Sequence, residues 1–302
     1  MIVVTGGEGF IGKNLIAELL KRGYSDVKSL DIKTMLLNEI EHWLIENGKD
    51  VEFVIHLGAI TDTTEDDLMK LNEYNFSFSI FIWSFCSLYK IPLIYASSAA
   101  TYGNGEQGFD DEKDINNLRP LNAYGDSKHN FDNYVLDTIL RPSKWYGLKF
   151  FNVYGNGEEH KGSMASVMFH FYNQIIENGE VKLFKSHRID VSNGEQKRDF
   201  IYVDDIVNTC IDLMTSSIDS GIYNLGTGIA RSYNDVAKTI FKCLGKKENI
   251  EYINIPIEIR DKYQYFTEAK MNKLRNAGYN YKFCDLETGI NEYIKKLKYE
   301  NR

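Results

Sequence analysis

A tyrosine and a lysine four positions apart, Tyr124 and Lys128, sit in the run Tyr124-Gly125-Asp126-Ser127-Lys128. On a helix that spacing puts both side chains on one face, so the ammonium can lower the pKa of the phenol and the phenolate can act as a base. Tyr-xxx-Lys also arises by chance on many helices, and the pair gains meaning from what stands before it. Upstream lies the small-residue loop Ser97-Ser98-Ala99-Ala100-Thr101-Tyr102-Gly103. A hydroxyl such as that of Ser98 can hold a substrate oxygen while the phenol exchanges the proton.

A second constellation opens the chain. Gly6-Gly7-Glu8-Gly9-Phe10-Ile11-Gly12 sets Gly6, Gly9 and Gly12 in GxxGxxG spacing between an apolar run and a helical pattern. Missing Cβ atoms there let the backbone approach a pyrophosphate at a helix N-terminus. Nineteen residues after Gly12, Asp31 ends the next apolar run, where a carboxylate can accept both hydroxyls of an adenosine ribose. Cradle and carboxylate together point to a bound dinucleotide. Asp31 favours NAD because it would repel a 2′-phosphate, whereas Lys33 could neutralise one, so these residues leave NAD and NADP both open.

The elements that must carry these groups follow from periodicity. Short apolar runs at Ile2–Thr5, Val27–Asp31, Val51–His56, Ile91–Ala96 and Leu148–Val153 predict strands. Helical patterns at Phe10–Arg22, Thr34–Asn47, 65–89 and from Tyr124 to about Leu140 separate them. This is an α/β chain with a Rossmann-type doubly wound parallel sheet, and it puts the serine loop at the carboxyl end of a strand, where such folds keep their chemistry. Beyond residue 155 the rhythm changes. A helix after Gly162, a Gly- and Asn-containing hairpin over Val181–Ile201, helices near 203–215 and 232–244, and a tail rich in Tyr, Asn and Lys follow. We therefore expect a dinucleotide-binding domain over 1–155, to which segments near 200–228 return, and a smaller, partly interleaved substrate lobe over 156–302.

Composition narrows the functional classes. The 302 residues carry Lys+Arg 35 against Asp+Glu 43, a net charge of -8 that repels phosphodiester backbones and anionic lipid. No nucleic-acid or membrane partner is expected. Cys86, Cys210, Cys243 and Cys284 lie far apart without a CxxC pair, and the six histidines form no HxH or HExxH, so neither a disulfide framework nor a metal site is expected. The opening Met-Ile-Val-Val-Thr-Gly-Gly has no signal-peptide pattern, and a cytoplasmic protein is expected. The most apolar stretch, Phe76 to Tyr89, is interrupted by four serines and falls short of the ~20 residues of a membrane span, so it reads as a buried helix. Glu65-Asp66-Asp67 reads as a helix start and Lys295-Lys296-Leu297-Lys298 as a solvated last turn.

The stretches YASSAATYG (95–103), PLNAYGDSK (120–128), FNVYGNGEEHKGSMASVMFH (151–170), KRDFIYV (197–203) and YNLGTG (223–228) resemble the extended short-chain dehydrogenase/reductase family of nucleotide-sugar enzymes. The resemblance runs from residue 1 to about 295, and within that family it is sharpest to the ADP-heptose 6-epimerase branch, through HKGSMAS (160–166). It implies a nucleotide-sugar epimerase that inverts C6 of ADP-glycero-manno-heptose by transient oxidation and re-reduction, in a homo-oligomer. Ser98, Tyr124 and Lys128 would be catalytic, with Lys161 as the second acid/base that inversion demands; by itself Lys161 reads as an ordinary solvated lysine.

The cofactor implied is NADP, with NAD possible, held by Gly6, Gly9, Phe10, Ile11, Gly12, Asp31, Ile32, Leu57, Gly58, Ala59, Asn75, Tyr124, Lys128 and Val153. The substrate would meet Asn152, Ser163, His170, Phe184, Lys185, Ser186, His187, Arg198 and Tyr263. Arg198 also has a case of its own, since its fork suits a diphosphate, against the plain alternative of an ion pair with Asp199 or Glu195.

Two segments depart from the family pattern. Only 24 residues separate Asp31 from His56, too few for the usual third strand, and Lys185–Gln196 is longer than its counterpart. Other chemistries fit less well. A 4,6-dehydratase needs an acid and a base directly after the active-site hydroxyl, where this chain has Ala99 and Ala100. A net reductase would keep Ser98, Tyr124 and Lys128 and differs only through Lys161, and a dinucleotide-sensing module has no need of Tyr124 or Lys128.

Overall fold

The computed structural model describes residues 1–260 and 263–300. Along the chain run β1 (Ile2–Thr5), α1 (Phe10–Lys21), β2 (Val27–Leu30), α2 (Leu37–Asn47) and β3 (Phe53–His56). One helical path follows, from α3 (Leu68–Leu71) through a π-helical stretch, Asn72–Ser77, into α4 (Phe78–Tyr89). Then come β4 (Leu93–Ser98), α5 (Ala123–Asp137), β5 (Trp145–Phe150), β6 (Asn152–Tyr154), α6 (Val167–Asn178), β7 (Val181–Phe184), β8 (Lys197–Tyr202) and α7 (Val203–Met214). The chain closes with β9 (Gly221–Leu225), β10 (Ala230–Ser232), α8 (Tyr233–Leu244), β11 (Ile250–Ile253), α9 (Ile257–Arg260), α10 (Asn272–Asn276) and α11 (Leu286–Glu300).

Two compact units emerge. The first comprises Met1–Phe150, Ile206–Leu225 and Lys270–Tyr281; the second comprises Phe151–Asp205, Gly226–Ala269 and the residues from Lys282 on.

In the first unit six parallel strands stand in the order β2-β1-β3-β4-β5-β9. All residues of β1, β3 and β5 are buried, as a parallel sheet covered on both faces requires. Helix α1 turns Phe10, Gly12, Leu15 and Leu19 inward at helical spacing. β2 forms the sheet edge beside β1, because the short path from Asp31 to β3 holds α2 and a 3-10 turn at Gly48–Asp50 but no further strand. The serine-interrupted apolar stretch is a core helix: Phe78, Ile82, Trp83, Phe85 and Cys86 of α4 are buried, and Trp83 meets Trp145 edge-on at 5.3 Å. No helix of the described residues is long and apolar enough to cross a membrane.

Several expectations are corrected here. The helix expected over 65–89 begins only at Leu68, where Asp67 caps it through the Met69 and Lys70 amides. The acidic run is therefore a cap, as its charge suggested, and only its placement shifts. The single strand expected at Leu148–Val153 is two strands: β5 joins the central sheet, and β6 pairs with β8. The hairpin expected at Val181–Ile201 does not form, because β7 pairs in parallel with β11 while β8 pairs with β10 and β6. The long 185–196 segment sends its two strands to different partners.

In the second unit β10, β8 and β6 make one small sheet and β11 and β7 another. Helix α8 starts at a capping box between Ser232 and Asp235. In α11, Leu297 is buried and Lys296 lies 3.4 Å from Asp204, so that last turn is docked rather than wholly solvated.

Candidate active site

The glycine loop is built by sterics. Gly6 has φ +70, and a Cβ there would lie 2.6 Å from the Gly58 amide nitrogen. A Cβ on Gly12 would overlap the Gly6 carbonyl oxygen and lie 2.7 Å from the Gly7 Cα. Both positions need glycine, and the loop, the first turn of α1 and the segment after β3 thereby touch. No side chain caps α1 at Gly9, so its N-terminus presents backbone N–H groups and the positive end of the helix dipole.

Asp31 is 5% exposed; its Oδ2 accepts the Glu8 N–H at 2.9 Å and its Oδ1 the Lys33 N–H at 2.9 Å. The carboxylate thus ties the loop to the end of β2, and each oxygen keeps a lone pair for a ribose hydroxyl. The Lys33 ammonium donates to the Glu8 carbonyl at 3.1 Å. Ile32 is exposed beside it and Ile11 is half-buried, whereas Phe10 packs into the core. Dinucleotide and residues fit: a Cβ-intolerant loop, an uncapped helix start and a carboxylate at the next strand end lie together.

A chain of hydrogen bonds runs beneath the cradle. His56 Nδ1 is 2.6 Å from Thr5 Oγ1, and its Nε2 is 2.9 Å from Ser79 Oγ. The Ser79 hydroxyl proton goes to the Asn75 carbonyl at 2.6 Å, so Nε2 must carry the ring proton and Nδ1 must accept from Thr5. Thr5 Oγ1 in turn accepts the Gly58 N–H at 3.3 Å. Burial, and then the Lys128 charge, push the His56 pKa down to about 3, so the ring is neutral.

Asn75 lies beneath the segment after β3. It is fully buried on the π-helical turn, with its amide bonded to Ile60 N at 2.7 Å, Ile60 O at 3.0 Å and Ser127 Oγ at 3.0 Å. It therefore braces the segment holding Leu57, Gly58 and Ala59 through Ile60. Those three residues are half-buried.

Tyr124 and Lys128 share one face of a helix, as the spacing predicts. Asn122 caps α5 by accepting the Gly125 N–H at 2.8 Å, which starts the helix so that Tyr124 and Lys128 lie one turn apart. The Ser98 Oγ accepts the Ala100 N–H at 3.1 Å, and the Ser98 hydroxyl bonds the Tyr124 phenol. Lys128 Nζ donates to the Ala96 carbonyl at 3.1 Å. The expected lowering of the phenol pKa by Lys128 is overridden: burial raises Tyr124 above its ordinary value and only the Ser98 bond pulls it down. Burial also lowers Lys128 to about 8, against the charge of Asp132. Desolvation thus opposes both charged forms, and the ammonium is not bonded to the phenol.

The second unit holds the other expected residues. Lys161 lies half-buried in the turn Glu159–Met164, its N–H on the Glu158 carbonyl at 2.9 Å; burial lowers its pKa and Glu158 opposes this. The Ser163 carbonyl is 3.4 Å from His170 Nε2 on α6. On β6, Asn152 is exposed and accepts from Thr267 Oγ1 at 3.4 Å, and Val153 is half-buried.

Arg198 is 7% exposed and bonds the carbonyls of Lys197 at 2.9 Å and Gln264 at 2.5 Å. Its guanidinium lies 5.8 Å from the Tyr233 ring and 5.6 Å from the Tyr263 ring. Among the described residues no carboxylate pairs with it: Asp199 is taken up by the amides of Thr227, Gly228 and Ala269, and Glu195 by Asn234. Tyr263 continues the aromatic row to Phe184 at 5.7 Å and to Tyr265 at 5.8 Å. Tyr265 gathers the remaining expected residues, 3.4 Å from Ser186 Oγ and 2.9 Å from His187 Nδ1, while Lys185 is exposed next to them.

Sequence reasoning missed Tyr233 and Tyr265, which frame Arg198 and His187, and Glu158, whose carboxylate accepts from Gly155 N, Ser166 N and Ser166 Oγ and fixes the turn of Lys161. The Glu158 signal was present: a carboxylate beside glycines, shortly before the lysine.

Comparison with known proteins adds kinship. Residues 2–226 match the model of the NAD dependent epimerase/dehydratase family. The chain is 43% identical to an ADP-L-glycero-D-manno-heptose-6-epimerase of Fusobacterium nucleatum, over 98% of this chain and 97% of that one. It is 40% identical to the protein of that name in Nitratidesulfovibrio vulgaris, over 98% and 97%. Among solved structures, the Helicobacter pylori ADP-L-glycero-D-manno-heptose-6-epimerase superposes with a TM-score of 0.81 at 27% identity, covering 98% of this chain and 96% of that one. The Thermus thermophilus UDP-glucose 4-epimerase complex with NAD, at 24% identity and a TM-score of 0.78 over 98% of both chains, shares the fold.

Proposed function

The chain belongs to the NAD dependent epimerase/dehydratase family, and from that premise we propose a nucleotide-sugar epimerase that inverts C6 of ADP-glycero-manno-heptose. The observation that carries the reaction class is the buried Ser98–Tyr124 hydrogen bond with Lys128 one helical turn on, in the unit that also bears the glycine cradle. Kinship with heptose epimerases over nearly the whole chain supports the substrate.

When bound, the dinucleotide supplies a hydride acceptor and donor and a positive ring that favours the Tyr124 phenolate. Ser98 would hold the C6 oxygen, and Tyr124 would take the hydroxyl proton when C6 is oxidised to a ketone. For inversion the ketone must present its other face, and its oxygen then no longer sits beside Tyr124. Lys161 would give that oxygen its proton when C6 is reduced again. Net redox change is zero, and Tyr124 and Lys161 return to their starting protonation through solvent. Burial eases the last role, because a lysine with a lowered pKa gives up its proton more readily. Arg198, with no carboxylate partner among the described residues, suits the diphosphate.

The finer readings travel with this one. NADP is proposed because the Lys33 ammonium stands at the loop, where it can meet a 2′-phosphate, and NAD is the alternative that the Asp31 carboxylate favours. A homo-oligomer is proposed, and a cytoplasmic location is supported by four free cysteines. The test is to incubate purified protein with ADP-L-glycero-D-manno-heptose, without added cofactor, and follow C6 by NMR. Both C6 epimers should appear; a need for stoichiometric NAD(P)H would instead favour a reductase. Acid release and chromatography of the bound nucleotide distinguishes NADP from NAD.

A further inference from the structure

The last four residues of β4 are each bonded to α5. Tyr95 OH donates to Asp132 Oδ1 at 3.0 Å, Lys128 Nζ donates to the Ala96 carbonyl at 3.1 Å, Ser97 Oγ donates to Asp132 Oδ2 at 2.7 Å, and Ser98 bonds Tyr124. Behind this row lies an ion pair with no solvent exposure, between Lys149 Nζ of β5 and Asp132 Oδ2 at 2.5 Å. Lys149 also donates to Thr101 Oγ1 at 2.7 Å, and the Thr101 hydroxyl donates to the Ser98 carbonyl at 2.8 Å. The pair therefore reaches the serine loop from one side and the helix of Tyr124 and Lys128 from the other. Stability alone does not account for it, since a well-packed apolar pair often serves as well as a buried ion pair.

We propose that Asp132 and Lys149 are positioning residues for the acid–base group: they lock the Ser98 loop to α5 and balance the charge beside Lys128. This rests on the reading of Tyr124 and Lys128 given above. Asp132 follows Lys128 by one helical turn, ~6 Å of rise. The other titratable groups gathered there are Tyr124 and His129 of α5, Tyr95 of β4, Tyr102 of the serine loop and His56 of β3. Burial holds the tyrosines protonated and both histidines neutral, which leaves Asp132 as the charge that acts on Lys128, with Lys149 paired to that carboxylate.

The test measures kcat, KM and the pH profile with ADP-L-glycero-D-manno-heptose, after circular dichroism has established folding. Two lysine charges are lost on the alkaline limb, those of Lys128 and Lys161, and Asp132 acts on the first of them, so a shift of the limb in the pair variants reports Lys128. Lys149→Met leaves the carboxylate unbalanced and should move that limb up by about one pH unit; Asp132→Asn should move it down by about as much. Each should lower kcat by about tenfold or more with KM within about twofold, the mark of lost positioning rather than lost binding. Lys149→Arg keeps the charge and should keep the limb in place.

If a single variant does not fold, the charge-balanced Asp132→Asn/Lys149→Met protein decides. Its limb should lie near the wild-type position with kcat still reduced about tenfold, because Thr101 has lost its lysine. Wild-type kcat in the folded double variant, or an unmoved limb in folded single variants, overturns the proposal. Tyr124→Phe is measured alongside. If it turns over normally, the acid–base reading fails and takes this proposal with it; if it is inactive while the pair variants behave as wild type, only this proposal fails.

Discussion

Lowering the pH from about 7.5 to about 5.5 loads one buried ring with a free-energy penalty that can be worked out beforehand. His56 has a pKa of about 3 in the fold against an ordinary 6.5, first because it is buried and then because of the Lys128 charge. Between those two values the unfolded chain binds a proton that the folded chain refuses. The unfolded state therefore holds more protons in this window, and stability falls as pH falls. One unit below 6.5 the loss is about 1.4 kcal/mol, two units below about 2.7, and the ceiling is about 4.8 kcal/mol. The ring is 3% exposed, so solvent screening does not discount these figures.

The perturbation that isolates the effect is His56→Asn, which retains an acceptor for Thr5 but cannot take a charge. It should be the less stable protein at pH near 7.5, since it loses one ring bond to Ser79. Its deficit should shrink by about 1.4 kcal/mol at pH near 5.5, as read from urea unfolding midpoints at matched m-values. Parallel pH dependence in the two proteins would refute the buried neutral ring. Because the folded ring stays neutral down to a pH of about 3, the Thr5 bond to the Gly58 N–H is untouched over this range and cofactor retained through dialysis should not change in either protein.

Gly12→Ala should fold yet lose its bound nucleotide, because the new Cβ overlaps the Gly6 carbonyl; Gly9→Ala, 3.1 Å from that oxygen, should retain more, and equal nucleotide release from both would count against the cradle. Tyr124→Phe removes only the proton-transferring oxygen and should lose ~10²–10⁴-fold in kcat while keeping cofactor, with near-normal turnover sinking its assignment. Lys161→Met keeps the aliphatic stem and should lower epimerisation by ~10²-fold or more, with nucleotide-sugar affinity by calorimetry within about threefold; wild-type turnover would end the two-base mechanism.

What could be read in the chain was whatever a single element determines. Gly6 and Gly12 mark a turn and a helix start, and Tyr124 and Lys128 share a face because four residues make one turn, so the sequence carries both directly. The alternation of runs likewise gives the parallel sheet, of which β1, β3 and β5 are buried throughout. Pairings between distant segments were not legible: Val181–Phe184 finds Ile250–Ile253, and nothing local names that partner. Asn75 belongs to the same class, since a π-helical turn aims it inward at Ile60. So does the charge balance of the site. Burial lifts the Tyr124 phenol despite its lysine, and Asp132 meets Lys149 only because β5 lies beside β4. The aromatic row of Tyr233, Tyr263 and Tyr265 about Arg198 shows no periodic signal at all.

The claim on which the rest depends is that C6 is oxidised and reduced in place, and running the reaction in deuterium oxide tests it most directly. Purified protein is given ADP-L-glycero-D-manno-heptose without added cofactor, and both C6 epimers are examined by NMR and mass spectrometry. Hydrogen that leaves C6 and returns to it without meeting solvent predicts an epimer mixture with no deuterium on C6. Deuterium at C6, or no second epimer, would contradict the account.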